Sequence, residues 1–327
     1  MKKLLTETDN LIEPMVSGVL AAYSGMLVRA GTTGRALVRS TKTKGKVGIV
    51  IGGGSGHEPA FLGYVGRGLA DGVALGNIFA SPSPGPIVDA ARAVDTGQGI
   101  LLIYGNYAGD CMNFEMAQEA LESEGIPVKS VVVNDDIASS TQRDQRRGIA
   151  GEILTYKVAG SMAERGGNLD ELATITQEAV DNTYSIGAAW SPCTLPQTGL
   201  KSFEIGENDM EIGLGVHGEP GAYRRPMASA GELAEIMVER LLSETTLSGP
   251  IAVLVNGLGS TSLMELYTFY GELHKRLATE GAHEVKTMIG NYITSQEMAG
   301  CSVTIMHLND LRAELLLAPC QGLGWSQ

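Results

Sequence analysis

The residues able to do chemistry are few, and they recur in similar settings. Of five histidines, His57 and His217 lie in glycine- and proline-rich loops that follow apolar, strand-like runs. His57 closes Gly52-Gly53-Gly54-Ser55-Gly56 and precedes Glu58-Pro59; His217 precedes Gly218-Glu219-Pro220. Both set a histidine ahead of Glu-Pro at a strand end, where a small polar ligand could be cradled. His274, His283 and His307 lie among helix-like or charged residues and read as surface or core histidines. Metal ligation is not expected, because no HxH or HExxH spacing supplies a further ligand. Asp110 ends Gly105-Asn106-Tyr107-Ala108-Gly109 ahead of a helical pattern. Two readings stay open for it. It is an N-cap, a role worth ~1 kcal/mol, or a carboxylate placed to take a proton from a hydroxyl.

The glycine cluster at 52–56 invites a phosphate-loop reading, since glycine lets backbone N–H groups close on a ligand. It fails the tests for one. No Lys-Ser/Thr follows, and the spacing is not GxGxxG running into a helix. A tight turn accounts for one or two of the glycines but not for four among five residues ending in a histidine.

The elements that must position these loops alternate strand and helix. Lys46–Ile51, Gly99–Tyr104 and Val128–Val133 read as buried strands, each ending in a polar loop. The alternation signals α/β architecture, in which ligands gather beyond the carboxyl ends of the strands. Residues 148–190 look mostly helical, with a capping box at Asn168 and Glu171. A break near 183–200 divides the chain into 1–190, carrying the His57 and Asp110 loops, and 191–327, carrying the His217 loop. In the second part Met210–Val216, Pro250–Val255, Val285–Ile289 and Ser302–Met306 read as strands, and Glu232–Leu242 and Ser262–Ala278 as helices. The expected fold is two α/β domains, each a central sheet flanked by helices; 327 residues suit two domains at roughly 100–200 each.

Apolar residues make up 43% of the chain and charged residues 19%, with a formal net charge of −13. A sizeable core is affordable, and a nucleic-acid or anionic-membrane surface is not expected, since both need an excess of Lys and Arg. The densest basic stretch, Arg143 to Arg147, is short and interrupted and reads as a solvated loop or helix start. The polar run Thr6–Asp9 argues against a signal peptide, and nothing approaches the ~18 consecutive apolar residues of a membrane span. Cys111, Cys193, Cys301 and Cys320 are scattered, which fits reduced thiols in a cytoplasmic enzyme.

Taken together, Gly-Gly-Gly-Ser-Gly-His57-Glu-Pro, Phe79-Ala-Ser81-Pro, Asn106-Tyr-Ala-Gly-Asp110-x-x-Asn113-Phe-Glu, Asn134-Asp-Asp136 and His217-Gly-Glu-Pro-Gly closely resemble the dihydroxyacetone kinase K subunit, in order and along essentially the whole chain. The resemblance implies a homodimer of two-domain subunits that binds a short-chain ketose. It implies that His217 adds to the ketone carbon as a reversible hemiaminal, that Asp110 is base for the terminal hydroxyl, and that His57 assists as acid, base or hydrogen-bond partner. Gly54, Ser55 and Gly56, with Ser81 and Gly105, would line the sugar site. No cofactor or metal is expected on this chain. ATP or ADP with magnesium would sit on a separate helical L subunit, recharged in some systems by a phosphotransferase-system M subunit; the end at Gln327 leaves no room for that helical part here. A neutral imidazole, with its ordinary pKa near ~6.5, supplies the nucleophilic nitrogen such a capture needs.

One departure matters. Many K subunits carry lysine immediately before Asn-Tyr-x-Gly-Asp, where this chain has Gly105. Two expectations follow: a roomier pocket that accepts a four-carbon ketose such as erythrulose, or impaired transfer in a ligand-binding coactivator or sensor. Retention of His57, Asp110 and His217 together favours the enzyme.

Overall fold

The computed structural model describes residues 3, 4 and 11–327. The polar run Thr6–Asp9 used above to argue against a signal peptide lies outside the described residues. The chain builds two six-stranded sheets. The first contains β1 (Leu27–Ala30), β2 (Ala36–Arg39), β3 (Gly48–Ser55), β4 (Gly72–Ile78), β5 (Ile100–Gly105) and β6 (Val128–Val133), in the order β1-β2-β4-β3-β5-β6. Strands β4, β3, β5 and β6 run parallel, and β2 and β1 extend the sheet antiparallel. Every residue of β3 and β5 is buried, which is why both appear as unbroken apolar runs. From β3 the chain moves one way to β4, then returns to β5 on the other side. The crevice beyond the ends of β3 and β5 is therefore the topological switch point, where ligands bind in such sheets.

The second sheet contains β7 (Thr183–Ser191), β8 (Asp209–Ile212), β9 (Tyr223–Pro226), β10 (Gly249–Gly257), β11 (Ala282–Gly290) and β12 (Ala299–His307), in the order β11-β10-β12-β7-β8-β9. Eight α-helices accompany the sheets among the described residues: α1 (Ile12–Ala22), α2 (Pro84–Val94), α3 (Ala108–Ser123), α4 (Gly151–Glu164), α5 (Leu169–Asp181), α6 (Ala230–Leu242), α7 (Leu263–Thr279) and α8 (Asp310–Leu317). The mixed α/β class and the two flanked sheets are as the sequence leads one to expect, as is the Asn168/Glu171 capping box that starts α5. No helix among the described residues is long and apolar enough to cross a membrane.

Helix α4 is buried almost all round and touches β3, β5 and β6 of one sheet and β7 and β12 of the other. One apolar cluster runs through it, from Ile49 and Ile51 to Leu254, Met306 and Leu315. The two sheets thus share a core.

The stretch expected to be helical as far as Trp190 is helical only to Asp181. Thr183–Ser191 is β7, paired with β12 and β8. Buried between two neighbours, it carries Ile186, Ala188 and Ala189 on a mostly buried run with no polar alternation to mark it. The chain passes to the second sheet at Thr183, ahead of the 190/191 division expected from sequence. The short strands β1, β2 and β9 carry too few residues for a periodic signal.

Asp71, just before β4, ties the first sheet together. It accepts from Lys46 at 2.6 and 2.7 Å, from Arg39 at 2.8 Å and from the Ile49 N–H at 3.0 Å. Removing one partner of a buried ion pair strands the other. Asp71→Ala should therefore lose about 3–5 kcal/mol of stability in a denaturant titration; a loss under about 1 kcal/mol, as for an exposed pair, would contradict this role.

Candidate active site

The loops after β3, β5 and β8 converge on one cavity. It is lined by Gly52, Gly53, Gly54, His57, Phe61, Gly105, Tyr107, Asp110, Gly148, Glu152, Val216, His217 and Ile293. The first sheet supplies all but the last of the strand-end carboxyl and histidine groups; the second supplies His217. Close approach explains the glycines: a Cβ on Gly54 would stand 2.7 Å from the Ala80 backbone nitrogen.

His57 is fully buried. Its Nδ1 donates to the Thr294 carbonyl at 2.5 Å. A carbonyl only accepts, so Nδ1 holds the ring proton and Nε2 the lone pair. The backbone is clasped to the same loop of the second half, with Thr294 N–H to His57 O at 3.0 Å and Gln296 N–H to Gly56 O at 3.0 Å. Phe79 stacks on the ring at 4.7 Å. Burial, reinforced by the nearby His217, pushes the His57 pKa down to about 3. The ring is a neutral hydrogen-bond acceptor at physiological pH.

His217 lies 4.8 Å from the His57 ring and 5.1 Å from the Tyr107 ring, centre to centre. Glu219 clamps it twice: Oε1 faces Nδ1 at 2.7 Å, and Oε2 accepts from the His217 N–H at 2.9 Å. Burial pushes the Glu219 carboxyl up, but its bond to His217 and the charges of His217 and Arg147 outweigh that and hold it at about 2. A carboxylate on Nδ1 fixes the proton there and leaves the lone pair on Nε2. Arg147 lies 4.0 Å from Glu219, and donates to Asp136 at 2.9 Å and to the Gly213 carbonyl at 3.0 Å. The basic stretch read as solvated is therefore structural. Arg143 bonds the Val180 and Thr183 carbonyls, and Arg146 bonds Glu244 at 2.6 Å.

Asp110 is not the N-cap of α3. The helix begins at Ala108 with Tyr107 in the cap position, and Asp110 lies within the first turn. Its Oδ1 is buried without a hydrogen-bond partner, as are His57 Nε2 and the Tyr107 hydroxyl. Burial pushes the Asp110 pKa up to about 6, against the opposing pull of Ser81 and His217.

Not every expected residue lines the cavity. Gly54, Gly105, His57, Asp110 and His217 do, whereas Ser55, Gly56 and Ser81 lie outside its lining. The Ser55 hydroxyl is spent on the Gly76 carbonyl at 2.8 Å. Ser81 accepts from Asn113 at 3.2 Å and borders the carboxyl of Asp110. Sequence reasoning missed Glu152, Tyr107 and the Thr294 loop. Tyr107 was visible within the Asn-Tyr-Ala-Gly-Asp run; Glu152 looks like an ordinary acidic first-turn residue, and nothing in 291–296 marks its contact with His57. His274 bonds Glu284 and His307 bonds Thr245, both away from the cavity. All four cysteines are free. No cluster of three or more His, Cys, Asp or Glu suited to a metal occurs among the described residues.

Fold and cavity together define an α/β protein built to enclose a small polar molecule between two sheets. Residues 17–323 match the family model described as the Dak1 domain, and the chain belongs to that family. It is 43% identical over 330 residues to the PTS-dependent dihydroxyacetone kinase 1, dihydroxyacetone-binding subunit DhaK, of Listeria innocua, covering 99% of this chain and 100% of that one. It is 41% identical to the L-erythrulose kinase of Pectobacterium atrosepticum, over 98% of this chain and 55% of the relative. Among solved structures, the dihydroxyacetone kinase operon co-activator Dha-DhaQ superposes with a TM-score of 0.92 at 32% identity, over 98% of this chain and 99% of that one. The resemblance to the K subunit drawn from the motifs holds.

The raised pKa of Asp110 has a consequence for stability. An unfolded aspartate ionises near 3.8 and this one near 6, so between those values the folded state binds the proton more tightly. Stability is lost as pH rises through this window. Asp110→Asn should therefore be more stable than wild type at pH 8 by denaturant midpoint, with the gap closing towards pH 4. A gap that is the same at both pH values would contradict the assignment.

Proposed function

We propose that this chain is the ketose-binding subunit of a multi-subunit dihydroxyacetone-type kinase, holding dihydroxyacetone or a tetrulose such as erythrulose for phosphorylation. The observation that carries the reading is the convergence of His217 with three buried, unpartnered polar atoms, His57 Nε2, Tyr107 OH and Asp110 Oδ1, around one cavity. Such atoms are costly unless a ligand completes their hydrogen bonds, and a compact polyhydroxy ketone offers the complementary groups.

In this reading the Nε2 lone pair of His217 forms a bond to the ketone carbon. The π pair moves to the carbonyl oxygen, which takes up a proton from water, and the charge left on the ring is held against Glu219. Reversal expels the ketone. Capture selects for a carbonyl, so glycerol is rejected more sharply than packing allows, where similar-sized ligands differ by only ~1–3 kcal/mol. It also removes the orientational freedom of a small ligand before transfer. His57 accepts a hydrogen bond from the substrate at Nε2. Asp110, as a carboxylate above about pH 6, takes the proton of the terminal hydroxyl as that oxygen attacks. The phosphoryl group would come from ATP with magnesium on a partner L subunit, leaving ADP there to be exchanged or recharged. The Listeria relative is PTS-dependent, which supports recharging of that partner by the phosphotransferase system; an M subunit would deliver the phosphoryl group, as the resemblance implies. We place the protein in the cytoplasm as a homodimer, as the resemblance implies.

The high similarity to a co-activator favours a second reading, a non-catalytic ketose sensor. A buried carboxyl raised towards neutrality at Asp110 favours the enzyme, because such groups cluster at catalytic sites.

Reconstitution with a nucleotide-carrying L subunit tests the proposal. Ketose phosphate should form, with a rate that rises with pH through about 6. In Asp110→Asn the ketose adduct seen by native mass spectrometry should persist while transfer falls by roughly 100-fold or more; His217→Ala should lose the adduct. Absence of product from both dihydroxyacetone and erythrulose, with the adduct retained, would leave the sensor reading in its place.

A further inference from the structure

Gly105 ends β5 and lines the cavity, and a side chain there would meet Glu152. A Cβ on Gly105 would stand 2.5 Å from Glu152 Oε1, and a Cβ on Gly148 would stand 3.0 Å from the same atom. Glu152 thus fills the space that a side chain at Gly105 would need; at Gly148 the Val133 carbonyl, at 2.7 Å, stands closer still. It reaches there from the first turn of α4, whose start is anchored by Asp135, accepting from the N–H groups of Ile149 at 2.9 Å and Gly151 at 2.8 Å.

Glu152 is 2% exposed. No lysine, arginine or histidine forms an ion pair with it among the described residues; its partner is the neutral hydroxyl of Tyr156, which donates to Oε2. A buried carboxyl without a cation is costly when ionised. Burial drives its pKa well up, the Tyr156 bond opposes this, and Asp135 and Asp110 add to the rise. Burial pushes both carboxyl groups that line the cavity up, and with no cation beside it the buried Glu152 carboxyl is favoured in its neutral form, which carries a proton. Because Oε2 accepts from Tyr156, that proton belongs on Oε1, the oxygen beside Gly105 and Gly148.

A ketone carbon held on His217 carries two arms. One presents its hydroxyl to Asp110. Besides Asp110 and His217, the polar side chains lining the cavity are His57 and Tyr107, whose rings lie against His217, and Glu152. A carboxylic acid sets a donor beside an acceptor, since Oε2 retains a second lone pair. That is the complement of two neighbouring hydroxyls, which a four-carbon ketose carries on its longer arm and a three-carbon ketose does not.

Resting on the ketose-kinase reading above, we propose that Glu152 is a substrate-touching hydrogen-bond group that, with Gly105 making space for it, favours a four-carbon ketose over dihydroxyacetone. The test compares kcat/KM for erythrulose and dihydroxyacetone in the reconstituted enzyme. Glu152→Ala should lose roughly 10-fold or more on erythrulose, the worth of a buried hydrogen bond, and clearly less on dihydroxyacetone, so the ratio falls. Glu152→Gln keeps a neutral donor and acceptor and should keep the ratio. Gly105→Ala should displace the carboxyl and mimic Glu152→Ala, and the double variant should be no worse than either single one, because the sites are coupled. If Glu152→Ala does not fold, Gly105→Ala gives the same reading. An unchanged ratio in a folded, active Glu152→Ala or Gly105→Ala would overturn the proposal, because a purely structural role lowers both substrates alike. Loss of the ratio in Glu152→Gln would overturn it too, by requiring a charge. Failure of the wild type on both ketoses is a different result, and it removes the kinase reading itself.

Discussion

The orientation of the His217 ring is the constraint on which the rest of the site turns. Glu219 holds that ring by its Nδ1 edge and by its backbone N–H, and Arg147 stands behind Glu219 with its other bonds to Asp136 and Gly213. Asp136 follows β6 of the first sheet, whereas Glu219 and Gly213 belong to the loop after β8 of the second. A chain of charges thus crosses from one sheet to the other through the side chain that decides which imidazole nitrogen is nucleophilic. The clasp between the His57 loop and Thr294 crosses in the opposite sense. Helix α4, packed on strands of both sheets, makes the crossing rigid.

Desolvation does the remaining chemistry. One small enclosed space raises Asp110 to about 6, lowers His57 to about 3 and keeps Glu152 far above the ordinary carboxyl value. The same physical cause therefore favours the uncharged states of all three groups, raising the two carboxyl groups and lowering the imidazole. These states lower the stability of the isolated chain. On the proposed reading they present an acceptor, a base and a donor to a neutral short-chain ketose.

Much of this was legible in the sequence, for identifiable reasons. β3 and β5 are central parallel strands, so Val47–Ile51 and Ile100–Tyr104 announce themselves as apolar runs, and the loops that follow them fall at the switch point. His217 and His57 were conspicuous because histidine is scarce here and both precede Glu-Pro. β7 was hidden because burial on both sides erased the alternation that marks a strand. Asp110 stayed open between a cap and a base because helix starts cannot be set to the residue without the cap geometry itself. Arg147 looked solvated because two of its partners, Gly213 and Glu219, lie far along the chain beside the second sheet, and Glu152 looked like a dipole-complementing acid until the absence of a side chain at Gly105 gave it a place. What sequence conveyed was which residues are unusual; what it withheld was long-range pairing.

The central claim is that the two sheets bring a nucleophilic His217 nitrogen onto the carbonyl carbon of a short ketose. Carbon-13 NMR of dihydroxyacetone labelled at its carbonyl carbon, recorded with and without the protein, reads that carbon directly. The account predicts that the bound signal leaves the carbonyl region for that of a tetrahedral carbon bonded to oxygen and nitrogen, and that it couples to nitrogen-15 placed in histidine. A bound ketose whose carbon stays in the carbonyl region, or becomes tetrahedral as the hydrate without nitrogen coupling, would contradict it.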